Sequence, residues 1–529
     1  MKKKILVIVL VLTIVLGLGM TAFAAVRLGD VDGDGRLTAF DAQMIAEYRA
    51  GKRNLSDEQK EAAGDLSVQD VVNEVLTEEK EKVYPVVGLL TPVPPDRINA
   101  GANPANTMYY TKGEYAVSQN DAAKSVSVEL MGITGTPAGI EFYHEGQPID
   151  SDAWVVSMDL NFQINSTQSG IMSFFATEDE TNGACFKFAP KADAIGSFVR
   201  AIYRDGQRLQ EGTSGERVVD LPAGTQWSGK IMMMFYDGVI YFFLQDANGQ
   251  FLRATSYVVD YEHASPQMEV SRYMNVQLTN IETVVDANEV AKIHNELLMP
   301  ENCKGEAKLL FLGSSCIFYY DMPDTFARLA KNAGYYVEVC TIARSNARQA
   351  MFTDPSDYLY QRLMEELPKG YDAVVFHGHS GDSDSADREA AAIESSNALI
   401  DLIREGGSEP VVTARAPVHL KSGTDVCVTN AKKYDVLFGG IAEDKNAAIV
   451  YVNRAFALAH QEYPELNLWY TDDAHSNPYG CYLASCVMVA SYFNTSCANV
   501  GDDFIDAETA AILRDIADRV VLEGELPNW

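Results

Sequence analysis

KLLFLGSSCIFYYDMP, residues 308–323, is the stretch on which the fold turns. Lys308-Leu309-Leu310-Phe311-Leu312 has the apolar character of a buried strand. The strand breaks at Gly313, passes through Ser314-Ser315, and resumes as a helix-like run. A strand giving way to a helix at a glycine is the joint of an open α/β sheet, and such sheets place their chemistry at the carboxyl ends of their strands. Glycine permits a sharp turn, which presents the following hydroxyl and backbone N–H groups to one small volume. Taken alone, the same pattern also describes an ordinary strand-to-helix turn.

The chain downstream keeps alternating. Apolar runs predict strands at 307–312, 336–341, 373–377, 410–413 and 466–470. Helical patterns fall at 324–333, 356–367, 387–405, 446–462, 480–493 and 506–522. Alternation of this kind predicts a parallel sheet with helices on both faces. A second informative stretch, YTDDAHSNPYGCYLASCVMVASYF, covers residues 470–493. Asp472 and His475 stand three residues apart on a polar loop ahead of a helix of small and apolar residues. A hydroxyl is a poor nucleophile without a neighbouring base, and an imidazole needs an acidic partner to orient it. Ser315, His475 and Asp472 supply those three parts.

An early serine with a late Asp-x-x-His resembles the SGNH (GDSL-like) hydrolase family. The likeness is to members reading G-N-S-F-T-Y-Y-N-D-M-P where this chain reads Gly313-Ser314-Ser315-Cys316-Ile317-Phe318-Tyr319-Tyr320-Asp321-Met322-Pro323. The last block matches D-x-x-H-x-x-x-x-G-x-Y-L-A through Asp472, His475, Gly480, Tyr482, Leu483 and Ala484. The resemblance covers residues 305–493. It implies a three-layer, flavodoxin-like α/β domain and a serine esterase with Ser315 as nucleophile, His475 as base and Asp472 as its orienting acid. Two family features depart. The second block offers a glycine N–H to the oxyanion, and here Arg344 takes its place. The third block offers an amide side chain, and here His377 takes its place, followed by His379. Gly381-Asp382-Ser383 spells the family motif after the wrong strand and reads as a coincidence. His377, His379 and His475 also offer a metal-site reading, without an evident fourth ligand. With its oxyanion donors altered, the domain also admits a non-catalytic reading.

The remaining chain sets the context. Residues 1–24 read as a signal peptide: Lys2-Lys3-Lys4, an uncharged apolar run, then Ala22-Phe23-Ala24. The expectation is a secreted protein. Its formal charge of -32 and pI near 4.6 argue against nucleic acid or an anionic membrane as partner. Residues 25–77 hold a small helical module. Asp30, Asp32 and Asp34 fall at positions one, three and five of a calcium loop, with Gly35 at the turn, a carbonyl at Arg36 and closing Asp41. With the helix that follows, this resembles the first half of a type I dockerin, which implies a cohesin domain as partner. The second half, Ala63-Gly64-Asp65-Leu66-Ser67, lacks the aspartate-rich turn, so one Ca²⁺ is expected. A charged and proline-rich linker covers 78–102. Residues 103–286 show short aromatic and β-branched runs with an Asp237-Gly238 hairpin turn, which predicts a β-sandwich resembling concanavalin-like jelly rolls. Tyr109, Tyr110, Tyr143, Trp154 and Trp227 are candidates for stacking on sugar rings, or for packing a core. A linker helix is predicted within 287–304. The whole chain thus reads as multidomain: a calcium-loop module, a β-sandwich and, at 305–529, the α/β domain, with acylated polysaccharide as the implied substrate.

Calcium dependence tests the first module. Chelation should lower the melting temperature of the wild-type module, and Asp30→Ala should abolish that response in a differential scanning experiment.

Overall fold

In the computed structural model, residues 274–529 are described without a break, together with most of 138–271. Before residue 138 the described residues are three strands and scattered positions between 44 and 63. The signal peptide and the calcium-loop residues Asp30, Asp32, Asp34, Arg36 and Asp41 lie outside them. The chain divides into two compact units, Met1–Glu81 and Lys82–Trp529. In the first, helical residues 44–46 and 48–49 bury Met44 and Ile45. Ser56 and Gln59 exchange side-chain-to-backbone bonds at 3.0 and 3.2 Å, the reciprocal cap that opens a helix.

The second unit begins with two antiparallel sheets. One runs Phe251–Val258, Val239–Asp246, Gln226–Tyr236, Trp154–Ile164, Met274–Val284, Ser125–Leu130 and Tyr115–Asn120. The other has Ser265–Ser271, Ile171–Thr177, Gly183–Ala189 and Gly196–Arg204 at its centre. Asp237 and Gly238 both take positive φ, 49° and 69°, as the predicted hairpin turn requires. Alternate residues of each sheet share one core, in which Phe186 of one sheet stacks on Phe242 of the other at 4.8 Å. Trp154 belongs to that core. It is fully buried, and its indole N–H donates to the Ala264 carbonyl at 2.6 Å, so it offers no platform to a sugar. Trp227 is half-buried and stacks on Phe162 at 5.7 Å. The Tyr109, Tyr110 and Tyr143 side chains lie outside the described residues. Leu90–Pro92, within the expected linker, is a strand paired with Ala138–His144.

The helix Ala287–Leu298, capped by Asp286, leads into a parallel sheet. Its strands are β1 Gly305–Gly313, β2 Tyr335–Ala343, β3 Ala373–His377, β4 Glu409–Ala414 and β5 Ala448–Tyr451, in the order β2-β1-β3-β4-β5. The helices are α1 Ser315–Phe318, α2 Met322–Ala333, α3 Tyr358–Glu366, α4 Ala386–Glu405, α5 Cys427–Lys445, α6 Val452–Glu462, α7 Pro478–Phe493 and α8 Ala507–Leu522. Alternation along β1 divides its side chains between two cores. Leu309 and Phe311 pack with α2, α6, α7 and α8, while Leu310 and Leu312 pack with α3, α4 and α5. The expected strand at 466–470 is a loop, touching strand geometry only at the Trp469–Ser476 bridge. The fifth strand is instead β5, inside the run read as one helix. Asn446 ends α5 in the left-handed conformation, and the chain extends before α6 begins. No disulfide joins the cysteines among the described residues. No described helix is long and apolar enough to cross a membrane.

The sandwich is seated on the α/β region through a buried charge cluster. Arg200, on Gly196–Arg204, pairs with Asp321 at 3.0 Å and Asp324 at 2.9 Å, at the start of α2. It also donates to Thr255 Oγ1 and the Ser256 carbonyl, and Ser256 Oγ donates to Asp324 at 2.6 Å. Tyr320 and Asp321 both have positive φ, 58° and 56°. Each such residue costs roughly 1–2 kcal/mol, and the ion pair holds this joint in place. One guanidinium faces two buried carboxylates, so burial and the Asp321 charge push Asp324 up to about 7 despite Arg200.

That raised value has a definite sign. Folded Asp324 keeps a proton that the unfolded chain, with a carboxyl near 3.9, has released. Its contribution to stability is therefore full below about pH 4 and lost as pH rises through 7. Asp324→Asn should remove this slope, so the fall in melting temperature between pH 5 and pH 8 should be smaller in the variant than in the wild type.

Candidate active site

Ser315 opens α1 at the carboxyl end of β1. The turn needs Gly313, because a Cβ there would lie 2.5 Å from His377 Nε2 and 2.8 Å from Ile317 Cδ1. Ser315 Oγ lies 2.7 Å from His475 Nε2. His475 Nδ1 lies 2.6 Å from Asp472 Oδ2, and the other oxygen of Asp472 accepts the N–H groups of Ala474 and His475, each at 3.0 Å. Burial would raise the Asp472 carboxyl. The hydrogen bonds from the imidazole and those two N–H groups outweigh it and hold the group below the usual carboxylate range. A carboxylate at Nδ1 requires that nitrogen to carry the proton, which leaves the Nε2 lone pair facing the serine hydroxyl. The ring is steadied by Tyr319, stacked on it at 4.0 Å and 13°.

The loop carrying Asp472 and His475 is tied at several points. Tyr470 N–H donates to the His475 carbonyl at 2.8 Å, and His419 N–H donates to the Asp473 carbonyl at 2.8 Å. Asn477 caps α7 through the Gly480 N–H at 3.0 Å, with Pro478 in its first turn. The three residues singled out from sequence therefore meet in one hydrogen-bonded chain.

Several solved structures are similar to part of this chain. One is a candidate SGNH hydrolase from Slackia heliotrinireducens, 23% identical, covering 35% of this chain and 99% of its own, with a TM-score of 0.29. A second is a DUF4886 family protein from Bacteroides uniformis, 13% identical over 42% of this chain and 97% of its own, with a TM-score of 0.36. A third is an acetylxylan esterase from Geobacillus stearothermophilus, 12% identical over 40% of this chain and 100% of its own, with a TM-score of 0.28. No protein-family model matches the chain, and no curated protein does. Likenesses this partial say nothing about what the chain does, and the case rests on its own side chains.

The expected oxyanion donors are placed otherwise. The Arg344 N–H donates to the Gly313 carbonyl at 3.2 Å, and its guanidinium is held by Asp357 at 3.0 Å. His377 Nδ1 lies 2.7 Å from the Gly378 carbonyl, so that nitrogen carries the proton. Nε2 is left as an acceptor for the Ser314 N–H at 3.4 Å. Burial, reinforced by Arg415, pushes His377 down to about 3, so the ring is neutral and has no donor to spare. Both oxyanion assignments are corrected on that account. Among the described residues His377, His379 and His475 do not converge as metal ligands. His379 Nδ1 accepts the Gly381 N–H at 3.1 Å, and burial lowers it to about 4. Asp382 of the Gly381-Asp382-Ser383 stretch is buried and accepts the His379 N–H and Arg348, a structural task.

Sequence reading missed Arg415. It follows β4, is 4% exposed, and donates to two carbonyls, Nε to Ala416 at 3.0 Å and Nη2 to Ala474, inside the Asp472–His475 loop, at 3.3 Å. With Thr413, whose buried hydroxyl has no hydrogen-bond partner among the described residues, it lines a cavity of about 40 Å³ beside Cys316, Tyr319 and His377. The available signal was a lone arginine directly after an apolar strand, at the sheet edge where such folds bind ligands.

Gly313→Ala should force the buried His377 ring to move. Overpacking of this kind costs about 1–3 kcal/mol, so urea unfolding should show a lower midpoint with an unchanged slope.

Proposed function

We propose that the α/β region is a serine ester hydrolase acting on short acyl groups, acetyl above all, carried by polysaccharide. The observation that carries this is the unbroken chain Ser315 Oγ–His475 Nε2 and His475 Nδ1–Asp472 Oδ2, at 2.7 and 2.6 Å. In the reaction, Ser315 Oγ attacks the ester carbonyl while His475 Nε2 takes its proton. Asp472 stabilises the imidazolium. The tetrahedral species collapses as His475 returns the proton to the leaving alcohol, and water then repeats the sequence on the acyl-serine. The Ser315 N–H, at the first helical position with no intrahelical acceptor, is the natural oxyanion donor. The buried positive charge of Arg415 supports it from the adjoining cavity. The small volume there, about 40 Å³, suits an acetyl group better than a long acyl chain. The polysaccharide setting rests on the signal peptide, the acidic calcium loop and the dockerin-like helix read in the sequence. In that setting the exported chain binds Ca²⁺ at Asp30 to Asp41, docks to a cohesin and presents glycan through its sandwich.

A second reading, a non-catalytic exported glycan-associated protein, is favoured by one observation: the Arg344 N–H and His377 Nε2 are both committed elsewhere. Rates decide between them. Wild type should release acetate from acetylated xylan and p-nitrophenol from p-nitrophenyl acetate, and Ser315→Ala should lose at least about 10³-fold in kcat. Equal rates for the two proteins would establish the non-catalytic reading.

A further inference from the structure

A hairpin of two short strands, Leu420–Lys421 and Thr424–Asp425, follows β4. The Val426 N–H donates to the His419 carbonyl at 2.8 Å, so His419 and Asp425, six residues apart, stand side by side. His460, in the last turn of α6, faces them. Its Nε2 lies 2.7 Å from Asp425 Oδ2. One ligand atom from each of the three lies within 4.8 Å of the others. We propose that His419, Asp425 and His460 bind a divalent transition-metal ion of the Zn²⁺ class.

The chemistry of the donors selects the ion. Two imidazoles and a carboxylate suit Zn²⁺ and its neighbours, whereas Ca²⁺ and Mg²⁺ take oxygen ligands almost alone. Bonds of about 2.0–2.2 Å need these three ligand atoms to close in from their present separation within 4.8 Å. The orientation of His419 is already set for the task. Its Nδ1 lies 3.1 Å from Asp473 Oδ1, which fixes the proton there and leaves Nε2 as the ligand atom. Its ring is stacked on Trp469 at 4.4 Å and 14°, and the Trp469 indole is anchored on the Pro417 carbonyl at 2.7 Å. Asp425 Oδ1 accepts the Cys427 N–H at 3.0 Å, which turns Oδ2 toward His460. The Asp425 side chain is 53% exposed, giving an ion a way in and leaving room for a water as fourth ligand. Binding displaces the proton shared between His460 Nε2 and Asp425.

The site is separate from Ser315 yet joined to its partners. Asp473, which orients His419, is the neighbour of Asp472, and its carbonyl accepts the His419 N–H. A bound ion would therefore pin the hairpin, α6 and the Asp472–His475 loop to one another. This role is positional, and it holds whether or not the serine is catalytic.

The test uses the full chain, freed of metal by chelator, in saturating Ca²⁺ and in a Cys303→Ser background, titrated with ZnCl₂ by calorimetry and followed by melting temperature. The wild type should bind one equivalent more than His460→Gln or Asp425→Asn and should melt higher with Zn²⁺ only where that equivalent binds. Asp473→Asn should retain the stoichiometry and weaken affinity by about 10–100-fold. A Co²⁺-loaded sample should show d–d bands without a thiolate charge-transfer band. Identical Zn²⁺ stoichiometry in wild type, His460→Gln and Asp425→Asn would overturn the proposal, as would the absence of any Zn²⁺ binding beyond the thiols.

Discussion

The hydrogen bond between Ser315 Oγ and His475 Nε2 joins residues 160 positions apart, and much of the α/β architecture bears on where those two groups end up. A parallel sheet delivers the carboxyl ends of its strands to one edge. Ser315 reaches that edge directly from β1, an interior strand of the sheet. His475 reaches it from a loop whose two ends are tied, one by the Trp469–Ser476 bridge and the other by the Asn477 cap of α7. Arg415 and His419, from the segment after β4, hold the same loop through the Ala474 and Asp473 carbonyls. The loop that carries the imidazole is thus tied at four points before any substrate arrives, and general-base catalysis needs a positioned base.

The sandwich takes part in this geometry. The turn Ser315–Phe318 lies beside the strand Glu216–Leu221 of the sandwich. Six residues after Ser315, Asp321 is held in a left-handed conformation by Arg200 from the same sheet. Removing either domain from the other would expose this charge cluster, whose Arg200–Asp321 and Arg200–Asp324 ion pairs form across the contact. A buried cation lying between two acidic side chains is a poor source of net stability, and misplacing it leaves charge unpaired in an apolar setting.

What could be read from sequence divides along a physical line. Elements with an amphipathic helical period or an unbroken apolar run were legible: Ala287–Leu298 and Ala373–His377 lie where the sequence put them. So was the meeting of Ser315, Asp472 and His475, because a serine after a strand and an Asp-x-x-His loop carry local signatures. β5 was hidden. Its four residues are too few for a period, and they abut α6, so the whole run read as helix. α5 was hidden as well, its polar residues blurring the apolar face. The fates of Arg344 and His377 were illegible for another reason. Whether an N–H or a ring nitrogen is free depends on which carbonyl lies opposite it, and Gly313 and Gly378 answer that only in three dimensions. Arg200, Arg415 and the His419–Asp425–His460 group belong to the same class, as long-range contacts between residues that are unremarkable in their own segments.

Any reactivity of Ser315 depends on its activation by the His475 imidazole. Intact-mass and peptide mapping after treatment with a fluorophosphonate measures this directly, because the reagent needs the same attacking oxygen and the same base as an ester. A single phosphonate adduct on Ser315, absent in His475→Ala, is the expected result. An unmodified chain, or an adduct on Ser314 that forms equally well without His475, would contradict it.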